Sequence, residues 1–345
     1  MTRASGSLFG LAYGDALGRP TEFLSVPQIV QRYGPDGPRD LPEDPALVTD
    51  DTQMALAVAW ALRDAHQAPG PAQAERAQRS TALTADALEP RFRQRFVTWS
   101  LGPHVGRAPG QTCLLACARL EDGYPWQSAA VANSKGCGTV MRVAPVGLVP
   151  GIDDETLAGV AQLQAGMTHG HPTALAAAEL MALAVKALAR DGADLADLPG
   201  LLHDRCRSQR EVYRDDWLGG LWDRPGATTP DDFIAGGWDE CLAAVRRLEA
   251  ALVAPDREAD PCDATGEGWV AEEAVATGLL CALLFPDDPV AALARAARTR
   301  GDSDTLACVA GALLGAAHGS SAWPDAWAGR IEYRDELRAL GATWD

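Results

Sequence analysis

Aromatic and β-branched residues are scarce in this 345-residue sequence. Phe, Trp and Tyr together make up 6% of it, whereas alanine and leucine dominate. Because strands favour β-branched and aromatic side chains and helices favour alanine and leucine, this composition predicts a helical protein. A chain of this length can bury a large core and form one or two domains.

Long apolar runs and basic clusters are missing as well. No uninterrupted apolar run reaches membrane-spanning length, and Asp15 interrupts the apolar part of residues 1–18, which we interpret as a core helix and not a signal peptide. The net charge of −17, with no Lys/Arg-rich run to offset it, disfavours sequence-independent binding to nucleic-acid backbones. We expect no membrane partner and no non-specific nucleic-acid partner, but an anionic small ligand in a local pocket is compatible with this charge.

The eight cysteines lack the paired spacing of zinc sites. Cys113 and Cys117 share one helical face, and others, such as Cys281 and Cys308, lie in apolar runs. This pattern predicts buried free thiols in a reducing compartment. We expect a cytoplasmic protein and a monomer.

Two acidic stretches, far apart in the sequence, stand at the start of predicted helices. Residues 49–52 (TDDT) precede the apolar run 54–62, and residues 301–305 (GDSDT) precede the small-residue run 306–318. Carboxylates at a helix N-terminus are favourable by themselves, because the first amides are free and the helix dipole is positive there. Each stretch alone therefore fits a helix cap as well as a metal site.

Small residues recur at every fourth position in two predicted helices, 7–18 and 306–318. The residues concerned are Gly10, Gly14 and Gly18 in the first helix and Ala307, Gly311 and Gly315 in the second. Glycine weakens an isolated helix, so a stripe of glycines predicts close contact with other helices. Pro20 then ends the first helix and leaves Glu22 in a loop.

The two acidic stretches together offer hard oxygen donors only. Four adjacent carboxylates repel each other and are costly to bury unless cations neutralise them. Oxygen-only ligation suits Mg²⁺, Mn²⁺ or Ca²⁺, and two pairs of aspartates fit two ions better than one. The donors are Thr49, Asp50, Asp51, Asp302, Asp304 and Thr305.

Two other motifs fit residues 302–305 less well. The Asp-x-Asp-x-Thr motif of haloacid-dehalogenase-type phosphatases closes a hydrophobic strand and places its threonine two residues after the second aspartate, whereas Thr305 follows Asp304 directly. An EF-hand loop would need a glycine and a closing glutamate that are not at the required positions.

Five segments in the same order resemble the ADP-ribosylglycohydrolase family, which includes the dinitrogenase reductase-activating glycohydrolase and the ADP-ribosyl-acceptor hydrolases. They are GLAYGDALGRPTEF, TDDTQMALA, SKGCGTVMRVAPVG, THGHP and GDSDTLACVAGALLGA, spread over residues 10–316. Each segment is weakly specific, but the ordered set is highly specific.

The resemblance implies an all-α, single-domain, many-helix orthogonal bundle over residues 1–345. Residues 190–265 match no family motif, and we expect them to form a peripheral, variable segment. The family implies a cleft for ADP-ribose with two Mg²⁺ or Mn²⁺ ions at its base, held by the six donors above. The implied reaction is hydrolysis of the C1″ bond between ADP-ribose and an acceptor.

The resemblance also implies roles for further residues. Glu22 matches a glutamate on a movable loop over the metals, with a solvated surface glutamate as the alternative. Asp302 would orient or deprotonate the nucleophile, and Asp15 would support the site. The predicted substrate-binding residues are Gly106, Ser134, Gly136, Cys137, Gly138, Met141 and His169, where His169 is equally typical of a helix C-cap.

One position departs from the family. Many relatives have Asp-Ile-Gly where this chain has His104-Val105-Gly106. In arginine-directed members that aspartate is thought to contact the acceptor guanidinium, and a histidine cannot make the same bidentate contact. This departure argues against an arginine-linked substrate and leaves ADP-ribose linked to a protein serine, to a nucleobase of a nucleic acid or to a small molecule as the expected partners. Two alternative functions are a catalytically weak ADP-ribose-binding protein and a metal-dependent phosphohydrolase of a nucleotide-like ester.

Overall fold

A computed structural model describes residues 2–67, 83–103, 105–224 and 226–345. Within these ranges the chain is helical and has no β-strand, with three isolated bridges as the only extended pairings. The predicted all-α fold is confirmed.

Eighteen α-helices follow one another along the described chain. They are α1 (Arg3–Gly18), α2 (Val26–Tyr33), α3 (Asp50–Gln67), α4 (Ala85–Ser100), α5 (Gln111–Glu121), α6 (Trp126–Ala129), α7 (Ala144–Gly147), α8 (Asp154–Gly166), α9 (Pro172–Lys186), α10 (Leu198–Ser208), α11 (Asp215–Leu218), α12 (Pro230–Val253), α13 (Cys262–Thr265), α14 (Ala271–Leu284), α15 (Pro289–Ala297), α16 (Ser303–His318), α17 (Trp327–Arg330) and α18 (Arg334–Trp344). Short 3₁₀ turns add Cys137–Thr139, Leu195–Asp197, Gly219–Trp222 and Ser320–Ala322, and a π turn adds Ala187–Asp191.

Side-chain caps begin several of these helices. In each case a side-chain oxygen accepts a hydrogen bond from the backbone amide three residues later, which satisfies one of the free amides of the first turn. The caps are Thr84 for α4, Asp153 for α8, Thr229 for α12 and Asp288 for α15.

The two glycine stripes face each other in an antiparallel contact between α1 and α16. A Cβ atom added to Gly14 would lie 2.0 Å from the carbonyl oxygen of Ala307, and one added to Gly311 would lie 2.0 Å from that of Gly10. These distances are far below van der Waals contact, so the two backbones touch only because the side chains are missing. The contact places the end of α1 beside the start of α16.

The helix α12 lies within the segment predicted to be peripheral, yet it buries one face. Trp238 is fully buried, and Gly237 touches the backbone of Pro172 at the start of α9.

The helix α9 and the π turn that follows it, Pro172–Asp191 together, have the length and hydropathy of a membrane span. Of the most apolar window of this helix, 83% is buried inside the protein.

Substitution Gly311→Ala tests the contact between α1 and α16. We expect a loss of about 2 kcal/mol or more in the free energy of unfolding, because the new methyl group meets a main-chain oxygen that cannot move aside. The matched control is Gly236→Ala, at an exposed position inside α12 with no atom within 4 Å of the added Cβ. The control should gain about 0.5–1 kcal/mol from helix propensity. Equal effects in urea denaturation would contradict the proposed backbone contact.

Candidate metal centre

Five carboxylates from three parts of the chain line one cavity of about 310 Å³. The loop after α1, the first turn of α3 and the start of α16 contribute them, and the contact between α1 and α16 brings the first and third of these together. The five residues are Glu22, Asp50, Asp51, Asp302 and Asp304. Carboxylate oxygens of Glu22, Asp302 and Asp304 lie within 4.8 Å of one another, close enough to share one cation.

Asp15 connects α1 to the start of α3. Its carboxylate is fully buried and accepts hydrogen bonds from the amides of Thr49 (3.0 Å) and Thr52 (3.1 Å) and from the Thr52 hydroxyl (2.6 Å). A carboxylate from another helix thus caps α3, which is favourable at the positive end of the helix dipole. This capping holds Asp50 and Asp51 in place.

Backbone hydrogen bonds also hold Asp50 and Asp302 in position. The amide of Gly110 donates to Asp50 (3.2 Å), and the amide of Asp302 donates to the carbonyl of Glu267 (2.8 Å). Asp302 and Asp304 also share a side-chain hydrogen bond, and the Thr49 hydroxyl bonds to Asp304. The acidic side chains are therefore held by the fold before any ligand binds.

Burial is the main cause of raised pKa values throughout the cluster, and repulsion between the carboxylates adds to it. The pKa of Asp50 is raised to about 7 and that of Glu22 to about 9. Burial and Asp304 raise the pKa of Asp51 and Asp302 well above the usual range. Oδ2 of Asp51 has no hydrogen-bond partner among the described residues. Neither Lys nor Arg is among the described cavity-lining residues, so no cationic side chain there offsets the charge of the carboxylates.

The glycine-rich loop of residues 134–138 packs on His169. A Cβ atom added to Gly136 would lie 3.1 Å from Nε2 of His169, and one added to Gly138 would lie 3.1 Å from its Cε1. The amide of Cys137 donates to the carbonyl of Trp269 (3.2 Å). The glycines thus have a packing role that the sequence did not reveal.

His169 is buried on the cavity wall. Its Nδ1 lies 2.8 Å from the Thr168 hydroxyl, which also accepts a hydrogen bond from Arg142 (2.8 Å). Burial, together with the Arg142 charge, lowers the pKa of His169 well below its usual value, so the ring is neutral. The neighbouring His171 has a capping role, since its side chain accepts from the Thr173 amide at the start of α9 (3.3 Å).

Comparison with known proteins identifies the family. The sequence profile described as ADP-ribosylglycohydrolase matches residues 1–344. The chain belongs to the ADP-ribosylglycohydrolase family. A solved structure titled as an ADP-ribosylglycohydrolase-related protein complex superposes with a TM-score of 0.64 at 27% identity, covering 99% of this chain and 96% of the other.

Curated relatives of this glycohydrolase-family chain include two named enzymes. The ADP-ribosyl-[dinitrogen reductase] glycohydrolase of Rhodospirillum rubrum is 31% identical over 51% of this chain and 54% of its own. The ADP-ribosylarginine hydrolase Tri1 of Pseudomonas putida is 26% identical over 99% of this chain and 77% of its own. An uncharacterized protein of Escherichia coli, YegU, is 26% identical over 97% and 93%. The family and these names support ADP-ribosyl hydrolase activity.

Most residues predicted for the family site lie on the cavity wall. Besides the five carboxylates, they are Gly136, Cys137, Gly138, Met141, His169 and Thr305. Thr49, Ser134 and Gly106 do not line the described cavity. The side chain of Thr49 lies beside that of Asp304, and the Ser134 hydroxyl is 2.8 Å from that of Thr112, which is on the wall. His104 lies outside the described residues.

The sequence did not predict part of the wall. The loop and first turn at the start of α5 contribute Gly110, Gln111, Thr112 and Cys113, and Phe23 and Trp269 lie on the wall as well. Phe23 and Trp269 stack with ring centroids 6.4 Å apart. Phe23 follows Glu22 directly and ends the family-like segment GLAYGDALGRPTEF, and these were the signals that could have identified it.

The acidic cluster predicts a pH-dependent stability for metal-free protein. The carboxylates titrate near pH 4 in the unfolded chain, whereas Asp50 and Glu22 have pKa values of about 7 and 9 when folded. The folded state binds more protons in this window, so the free energy of unfolding should fall as pH rises from 5 to 8, on the order of 1 kcal/mol per pH unit.

Urea denaturation after dialysis against EDTA measures this slope. The variant Asp304→Asn removes the charge that repels its neighbours and should flatten the slope, which separates the cluster from other carboxylates. Mn²⁺ at about 100 times its dissociation constant should restore about 2.7 kcal/mol at pH 8. A slope that is the same in wild type and Asp304→Asn would rule out the cluster as its source.

Proposed function

We propose that this protein is a metal-dependent hydrolase that cleaves the C1″ glycosidic bond between ADP-ribose and an acceptor, and so reverses ADP-ribosylation. The observation that carries the proposal is the group of five buried carboxylates, with no Lys or Arg beside them on the described cavity wall. Such a group is costly to bury unless bound cations neutralise it. Family membership supplies the substrate class.

The donor set fits two hard divalent cations such as Mg²⁺ or Mn²⁺. Carboxylate and hydroxyl oxygens suit these ions, and Oδ2 of Asp51 is buried with no hydrogen-bond partner among the described residues. The residues that would hold the ions are Thr49, Asp50, Asp51, Asp302, Asp304 and Thr305. When bound, such ions polarise a substrate oxygen and neutralise the carboxylates.

The chain's own groups position the substrate and move the proton. Asp302 lies on the cavity wall among the proposed metal ligands, where its carboxylate can accept a hydrogen bond or a proton from water, so we assign it the orientation or deprotonation of the attacking water. The remaining carboxylates favour positive charge on the ribose as the bond breaks. Glu22 lies in the loop between α1 and α2, where loop movement can open or close the cavity.

An assay for released products separates this proposal from its two alternatives. The protein is incubated with ADP-ribosylated protein or nucleic acid in Mg²⁺, Mn²⁺ or EDTA. Free ADP-ribose released only with metal supports the hydrolase. ADP-ribose binding without turnover would indicate a binding protein, and phosphate release would indicate a phosphohydrolase.

Substitution Asp302→Asn should greatly reduce turnover and leave the fold intact. It removes a metal ligand and a proton acceptor at constant shape, so kcat should fall by about 10²–10⁴-fold with a thermal midpoint close to that of wild type. The exposed Asp325→Asn is the matched control and should retain full activity. Unchanged kcat in Asp302→Asn would refute the site assignment.

Substitution Glu22→Gln should slow the reaction at unchanged metal content, because we place Glu22 over the ions and not among their ligands. Both quantities are measured on one preparation, by steady-state kinetics and by elemental analysis. Loss of metal would instead make Glu22 a ligand together with Asp302 and Asp304, whose oxygens are within reach.

The acceptor is best identified with a panel of arginine-, serine- and nucleobase-linked ADP-ribose. Because His104 replaces the carboxylate of arginine-directed relatives, we expect the arginine-linked compound to show the lowest kcat/KM. The variant His104→Asp should raise that value selectively. A wild-type preference for the arginine-linked compound would contradict this expectation.

A further inference from the structure

The thiol of Cys137 lies among the carboxylates of the cavity. Its Sγ is 2.9 Å from Oδ2 of Asp302 and 3.7 Å from Oγ1 of Thr305. Both oxygens belong to the proposed metal ligands, so a sulfur atom is placed beside two donors of an otherwise oxygen-only set. The proposed function does not itself require a sulfur atom there.

The backbone fixes the position of this thiol. The Cys137 amide donates to Trp269 (3.2 Å), and its carbonyl accepts from the amides of Val140 (2.8 Å) and Met141 (3.2 Å). On the far side, the neighbouring Gly138 touches the His169 ring. The loop therefore holds Sγ against Asp302 independently of any hydrogen bond that the thiol makes.

The distances match those between two ligands of one metal ion. With metal–sulfur and metal–oxygen bonds of about 2.3 and 2.1 Å, the two ligand atoms are about 3.1 Å apart at a right angle and about 3.6 Å apart at the tetrahedral angle. The distances from Sγ to Asp302 and Thr305 are 2.9 and 3.7 Å. The sulfur is therefore at a separation from each oxygen that two ligands of one ion can have.

A second observation points independently to a cation in this cavity. Oδ2 of Asp51 is buried without a hydrogen-bond partner among the described residues, and Asp51 lines the same cavity as Cys137. The other thiol on the wall, Cys113, lies 3.5 Å from the Arg142 guanidinium and accepts its hydrogen bond. Of these two sulfurs, Cys137 is the one placed beside the carboxylates.

We propose that Cys137 Sγ is a ligand of the metal centre and makes it select a divalent ion softer than Mg²⁺, such as Mn²⁺, Fe²⁺ or Co²⁺. Mg²⁺ binds oxygen almost exclusively, whereas thiolate ligands favour softer ions. Coordination replaces the sulfur–hydrogen bond by a sulfur–metal bond and releases the proton to water, with no change in oxidation state. This inference rests on the metal centre of the proposed function.

The absorption spectrum of the Co²⁺-loaded protein tests ligation without any activity measurement. Wild type should show a sulfur-to-cobalt charge-transfer band in the near ultraviolet. Cys137→Ser should bind Co²⁺ through its remaining oxygens but lack the band, while Cys281→Ser, at a buried thiol on α14 outside the cavity, should keep it. Co²⁺ content is measured in each sample.

Equilibrium dialysis against mixed Mn²⁺ and Mg²⁺ tests selectivity. The ratio of bound Mn²⁺ to bound Mg²⁺ should fall at least about tenfold in Cys137→Ser relative to wild type and Cys281→Ser, because serine offers oxygen in place of sulfur. Cys137→Ala serves as a second variant if the serine protein does not fold.

Three results would overturn the inference. Co²⁺ bound to wild type without the charge-transfer band would reduce Cys137 to a hydrogen-bond donor to Asp302. An unchanged Mn²⁺-to-Mg²⁺ ratio in a folded Cys137 variant would remove its role in selectivity. Failure of wild type to bind any divalent ion would overturn the metal centre itself, and is thereby distinguishable from the loss of the sulfur ligand alone.

Discussion

The site depends on one contact, the approach of α1 to α16 through their glycine stripes. Main-chain atoms of the two helices meet where side chains would normally separate them, as at Gly10 and Gly311. The antiparallel arrangement sets the end of α1 beside the start of α16. Asp15 then reaches across to cap α3, so a single close packing brings three separate acidic segments together.

The resulting cluster opposes the stability of the fold that builds it. Carboxylates that are buried and mutually repulsive resist ionisation, as the raised pKa values of Glu22 and Asp50 indicate. Helix N-termini and backbone amides, such as that of Gly110, offset part of this repulsion. The fold thus holds buried carboxylates close together, and under the proposed function bound cations would offset their repulsion.

Sequence patterns predicted much of this arrangement because it is local. Spacing of four identified both glycine stripes, and the acidic stretches at 49–52 and 301–305 identified the cluster. Spacing within a helix defines a face, but not which helix that face meets, so the pairing of α1 with α16 required the structure. For the same reason the wall at the start of α5 and Trp269 escaped prediction, as did the proximity of Cys137 to Asp302. The buried face of α12 was also missed, because its apolar positions are interspersed with polar ones.

The contact between α1 and α16 has a genetic consequence. When a substitution overpacks a core, a second substitution that makes a neighbouring side chain smaller can often restore the packing and so suppress the first. A methyl group at Gly311 would instead meet the carbonyl of Gly10, and every residue type has that carbonyl. No change of side chain at position 10 can therefore relieve this contact. Homologues that keep this helix pair must therefore keep small residues at the contact positions. Substitution by larger residues is excluded there, whatever the acceptor is.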